Sequence, residues 1–122
     1  MKKTIGIVGS RRRATTKDAR MVEAAFLDVY QPGDHIVSGG CPQGADSFAE
    51  HLAKRYEVPI KIHYAAWKRL GKRAGFARNG DIAAEADVLI ACVSADRTGG
   101  TEDTIRKWQR THQDGDLILI KP

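Results

Sequence analysis

The chain has 122 residues, 42% of them hydrophobic and 29% charged, a composition typical of one folded domain and not of a disordered or membrane protein. No apolar run approaches the ~20 residues that a membrane span needs. The short apolar run after Lys2 and Lys3 indicates a first strand and not a signal peptide. We therefore expect a single domain over 1–122, located in the cytoplasm without a membrane partner. The net charge of +5 favours anionic partners, either nucleotides or nucleic acid.

Strand and helix patterns alternate along the chain. The predicted strands cover 4–9, 35–39, 59–64, 87–93 and 116–121, and the predicted helices cover 16–30, 44–56, 76–86 and 100–113. Thr15 or Thr16 is the expected N-cap of the first helix, and a polar connection is expected between 64 and 76. Strands that alternate with helices pair in parallel. The predicted fold is therefore α/β, a Rossmann-like three-layer α/β/α sandwich with a five-stranded, mainly parallel sheet.

The two cysteines do not indicate a metal site or a disulfide. Cys92 lies within an apolar strand, where we expect it in the core, and Cys41 lies in a glycine-rich loop. Neither has a partner at metal-ligand spacing. No metal and no separate cofactor is expected.

Unusual residues follow the first two predicted strands, where ligands of open parallel sheets bind. After the first strand, "GSRRR" supplies Gly9 for a close approach, the Ser10 hydroxyl, and Arg11 for phosphate. After the second strand, "SGGCPQGAD" contains a glycine pair and then small residues at the start of a helix, so that the free backbone amides of the helix can face an anion. The candidate ligand-binding residues in this segment are Gly39, Gly40, Gly44, Ala45 and Asp46. Asp46 would either order the loop and complement the helix dipole, which we favour, or bind a ribose hydroxyl.

The third and fourth strands are followed by comparable segments. "WKRLGKRAGFARN" offers Trp67, which would either stack on a base or cover the sheet edge, and Arg78 and Asn79 near a helix start. In "GGTEDT", Gly99 and Gly100 clear space, Thr101 is expected to cap the last helix, and the uncapped amides suit a phosphate. Thr104 completes the predicted ligand-binding set.

Together, "GSR", "SGGxxxGAD", "WxxxGxxAGxxRN" and "GGTxxT" resemble the YspA/YpsA-related branch of the SLOG superfamily over nearly the whole chain. This resemblance implies a Rossmann-like domain that binds a nucleotide or nucleotide-derived ligand, as a sensor or accessory protein. Relatives of that superfamily include LOG-type phosphoribohydrolases, which cleave the N-glycosidic bond of cytokinin nucleotides, and the DNA-processing protein DprA.

The resemblance also implies two alternative functions. A LOG-like hydrolase would use Arg78, which matches the arginine of those enzymes, together with Glu102 or Asp46 as the carboxylate. However, the glutamate of the LOG motif aligns with Thr104, which cannot serve as a carboxylate, so binding is the leading prediction. The DprA relationship and the positive charge raise single-stranded nucleic acid binding as a further alternative. SLOG relatives commonly dimerise, and Trp108 on the last helix is a candidate for either an interface or the core.

Overall fold

A computed structural model describes residues 2–112 and 116–122. The strands are β1 (Thr4–Gly9), β2 (His35–Gly39), β3 (Ile60–His63), β4 (Val88–Cys92) and β5 (Leu117–Ile120). The helices are α1 (Thr16–Val29), α2 (Ala45–Tyr56), α3 (Trp67–Leu70), α4 (Ala74–Glu85) and α5 (Gly100–Gln109), with one 3₁₀ turn at Gly71–Arg73. None of the helices within the described residues is long and apolar enough to cross a bilayer.

The sheet has the order β3-β2-β1-β4-β5, and all four strand pairings are parallel. The chain builds outward from β1 through β2 to β3 and then returns to β4 on the other side of β1. The strand order thus reverses between β1 and β4. In an open parallel sheet, ligands bind outside the carboxyl ends of the strands at this switch point.

Helices cover both faces of the sheet, which confirms the predicted α/β class and its three layers. On one face, α1 and α2 bury Val22, Phe26 and Leu52 against the strands. On the other face, α4 and α5 bury Ile82 and Ile105. The burial of all five β4 residues explains why that strand is a continuous apolar run.

Trp108 belongs to the core beneath α5. Its side chain is fully buried, and its indole N–H donates to the Ala86 carbonyl at 2.8 Å. A buried indole with a satisfied donor has no surface left for a partner. Of the two alternatives that the sequence left open for Trp108, the core is therefore the correct one.

The ends of the helices show what the sequence pattern could and could not predict. Thr15 is the N-cap of α1 and forms a capping box with Asp18, as one of the two expected caps. The predicted polar connection before the third long helix instead contains α3 and the 3₁₀ turn, and α4 begins earlier than expected because Ala74 is buried. The last helix was predicted to end at Gln113, which lies outside the described residues, whereas α5 is described to Gln109.

Candidate functional site

A cavity of about 410 Å³ opens at the carboxyl ends of β1 and β4, within the size range of small-molecule sites. The connections after β1, β2 and β4 contribute to its wall, and α4 itself forms the wall on the β3 side. The lining residues are Val8, Gly9, Ser10, Arg11, Arg12, Cys41, Asp46, Arg78, Asn79, Ile82, Thr98, Gly99, Gly100, Thr101 and Thr104. Ten of these are predicted site residues: Gly9, Ser10, Arg11, Asp46, Arg78, Asn79, Gly99, Gly100, Thr101 and Thr104. The structure therefore brings residues far apart in sequence to one place.

Six predicted site residues do not line the cavity: Gly39, Gly40, Gly44, Ala45, Trp67 and Glu102. Some of these six residues pack behind the cavity wall and determine how closely its elements approach one another. Ala45 is fully buried, and a Cβ at Gly9 would lie 2.7 Å from its methyl group, so this pair sets how closely β1 approaches α2. A Cβ at Gly44 would lie 2.7 Å from the Ser10 carbonyl oxygen. These small residues join the first two connections.

The three consecutive arginines after β1 have three different environments. Arg13 is buried and bonds the Asp18 carboxylate and the carbonyls of Val93 and Ile120, which makes it structural. Arg12 forms a two-bond ion pair with Asp96, with distances of 3.0 and 2.6 Å.

Arg11, in contrast, is exposed at the cavity and forms no ion pair with any described carboxylate. It therefore offers its full charge to an anion in the cavity.

Arg78 approaches the cavity from α4 and is likewise without an ion pair to a described carboxylate. Its Nε donates to the side-chain Oδ1 of Asn79 at 3.1 Å, and Nδ2 of Asn79 donates at 3.2 Å to both the Gly100 carbonyl and the Asp103 carboxylate. Asn79 thus links Arg78 to the start of α5. A Cβ at Gly39 would lie 2.6 Å from Nη1 of Arg78, so the glycine makes room for the guanidinium group.

Asp46 is the carboxyl group in the cavity wall. Its Oδ2 accepts from the Cys41 amide at 3.2 Å, and its Oδ1 lies 3.1 Å from the Ser38 hydroxyl. Burial raises the pKa of Asp46 above its ordinary value, although hydrogen bonds from Cys41 and Ser38 and the charge of Arg78 oppose that change. With both oxygens engaged by the protein, Asp46 orders the loop after β2, the role that we favoured.

Neutral donors complete the cavity wall. The Ser10 hydroxyl oxygen accepts from the Arg12 amide at 3.1 Å, which leaves its own proton available to a ligand. Gly99, with a φ of 100°, is the N-cap of α5, and no side chain caps this helix. Thr101 lies inside the first turn, so the expectation that it caps the helix is wrong. The amides of this first turn, which Gly99 and Gly100 leave exposed, can bind an anion.

The carboxylate proposed for catalysis from the sequence is held elsewhere. Both oxygens of Glu102 accept from Arg97, at 2.8 and 2.9 Å. Thr104 is buried, and its hydroxyl donates to the Gly100 carbonyl at 3.2 Å. Glu102 therefore presents no carboxylate to the cavity, and the Thr104 side chain has none.

Trp67 lies on α3 and is neither a buried edge plug nor a cavity residue. Its side chain is half-exposed, and its ring contacts the position where a Cβ of Gly75 would lie, at 3.3 Å.

Sequence reasoning missed five lining residues: Val8, Arg12, Cys41, Thr98 and Ile82. The strand-end rule would have found Thr98 and Cys41, which lie in the same connections as the predicted residues.

No family model, curated protein or solved structure matches the chain. The basis for a functional proposal is therefore the chemistry of the cavity itself.

Proposed function

We propose that the cavity binds a nucleotide or nucleotide-derived ligand through its phosphate, as the sequence resemblance implies. The observation that carries the proposal is the convergence of Arg11 and Arg78, neither of which pairs with a described carboxylate, on the start of α5, which has no side-chain cap. A guanidinium group binds a phosphate with paired hydrogen bonds, and free helix amides add further donors. The apolar side chains of Val8 and Ile82 in the same wall suit the non-phosphate part of such a ligand.

Thermal unfolding in the presence of mono-, di- and cyclic nucleotides tests this function. A ligand that binds only the folded state raises the melting temperature. We expect at least one nucleotide to do so, and Arg78→Ala and Gly100→Val to abolish the shift. The matched control is Arg110→Ala, because Arg110 is an exposed arginine at the other end of α5. If no nucleotide in the panel shifts the transition, the proposal is wrong.

Cleavage of an N-glycosidic bond is the second candidate, and one observation favours it. Asp46 is a cavity carboxyl whose pKa is raised by burial, as expected for a group that delivers a proton to a leaving base. Glu102 is not suited to that role because it does not line the cavity and the Arg97 guanidinium holds both of its oxygens, whereas the donors to Asp46, the Cys41 amide and the Ser38 hydroxyl, are neutral. Chromatography would detect the free base released from nucleoside monophosphates. No release at high protein concentration, or equal release by Asp46→Asn, would contradict this candidate.

A further inference from the structure

Tyr64 is the most exposed of the large hydrophobic side chains in the described residues, at 70%. It follows β3 directly, and β3 pairs with β2 so that His63 lies opposite Gly39. The next residues, Tyr64 and Gly40, consequently meet beyond the end of the sheet. A Cβ at Gly40 would overlap with Cδ1 and Cε1 of the Tyr64 ring. Gly40 is thus the residue that admits this aromatic ring.

The contact places the ring beside the candidate cavity. Gly40 precedes Cys41, which lines the cavity, and it follows Gly39, whose missing Cβ makes room for the Arg78 guanidinium. The Tyr64 ring and the Arg78 guanidinium, which pairs with no carboxylate in the described part of the chain, are therefore separated by one glycine pair. An exposed aromatic side chain next to a phosphate-binding arginine matches the two ends of a nucleotide, a base and a phosphate.

On this basis we propose that Tyr64 is the platform on which the base of the ligand stacks. The inference rests on the proposed function, and it narrows the ligand to a phosphate ester that carries an aromatic base. Stacking tolerates any base, because every base has a π face. Trp67, for which base stacking was one of two alternatives from the sequence, packs on Gly75 of α4, whereas Tyr64 abuts the glycine pair beside the cavity.

The test compares the 5′-monophosphates of adenosine, guanosine, cytidine and uridine with ribose 5-phosphate, which lacks the base. Calorimetry gives the Kd of each for the parent protein and for Tyr64→Leu, Tyr64→Phe and Gly40→Ala. We expect Tyr64→Leu to weaken the tightest nucleotide about 10-fold or more, from the usual size of base stacking. The same variant should leave the Kd of ribose 5-phosphate unchanged. Tyr64→Phe should bind like the parent, and Gly40→Ala should resemble Tyr64→Leu because its methyl group displaces the ring.

Two further variants serve as controls, and the second of them separates this proposal from the proposed function. Phe76→Leu changes another exposed aromatic, which lies under the Lys107 ammonium, and should have no effect. Arg78→Ala should weaken nucleotides and ribose 5-phosphate alike. If nucleotides bind and depend on Arg78 but Tyr64→Leu binds them as tightly as the parent, the stacking proposal alone is overturned. If neither the nucleotides nor ribose 5-phosphate binds the parent protein, both proposals are overturned.

Discussion

At the scale of single residues, the environment of a side chain decides what its chemistry is used for. Arg11, Arg12 and Arg13 are identical and adjacent, but Arg11 lines the cavity without pairing with a described carboxylate, Arg12 lines it while paired with Asp96, and Arg13 is buried. Arg13 ties the ends of β4 and β5 to the first turn of α1 through carbonyl and carboxylate acceptors. The burial of those acceptors makes its bonds hard to replace with water.

We therefore expect Arg13→Met to lower the free energy of unfolding by about 3–5 kcal/mol, because it removes the ion pair of the buried Asp18 carboxylate and the hydrogen bonds to two buried carbonyls. Urea denaturation measures the change. Arg12→Met serves as the control, because its ion pair is exposed and screened by solvent, and its midpoint should stay close to that of the parent. Equal losses for the two variants would show that Arg13 is not the structural arginine.

At the scale of elements, backbone turns set where the helices begin. Gly44 starts α2 with φ 75° and ψ −151°, and Gly71 ends α3 with a similar φ of 59° and ψ of −137°. The two differ in their surroundings. A Cβ at Gly44 would lie 2.7 Å from the Ser10 carbonyl oxygen, whereas a Cβ at Gly71 would have nothing within 4 Å.

Alanine substitution at these two glycines separates backbone strain from crowding. Gly71→Ala should cost about 1–3 kcal/mol from the strained conformation alone. Gly44→Ala should cost about 1–3 kcal/mol more, because its methyl group pushes the connection after β1 away from α2. Chemical denaturation of both variants under one set of conditions provides the comparison. A Gly44→Ala protein no less stable than Gly71→Ala would exclude close packing at this turn.

At the scale of the whole molecule, carboxylates that accept hydrogen bonds in the folded state link stability to pH. Burial by itself would raise the pKa of Asp34, but hydrogen bonds from the Lys3 ammonium and from the amides of Lys3 and Gln31 lower it overall. Asp18 and Glu85 also have lowered pKa values, since bonds from Arg13, Lys61 and His63 outweigh the effect of burial. A carboxyl with a lowered folded pKa contributes stability above its unfolded pKa, and this stability is lost as the pH falls through the folded value.

The free energy of unfolding should accordingly fall as the pH drops below about 4, the usual pKa range of unfolded carboxyls. Asp46 works in the opposite direction, because its raised pKa favours the folded state at low pH. Asp34→Asn should be less stable than the parent at pH 7 and should flatten the acid limb by up to about 1.4 kcal/mol per pH unit, the value for one proton. Urea titrations between pH 3 and 7 measure how the free energy of unfolding depends on pH in the parent and in Asp34→Asn. An acid limb as steep as that of the parent would show that Asp34 does not contribute.

The sequence by itself determined the layers of the fold, the alternation of strands and helices, and the edge at which unusual residues collect. Apolar spacing and glycine-rich turns are local properties, and parallel strands necessarily bring their carboxyl ends to one edge. Only the tertiary structure decided which side chains are free. The acceptors of Arg13 lie in Val93 and Ile120, the partner of Glu102 is Arg97 in a turned loop, and Tyr64 meets Gly40 across a strand pair. Burial and pairing of this kind depend on residues distant in the chain, and no local pattern records them.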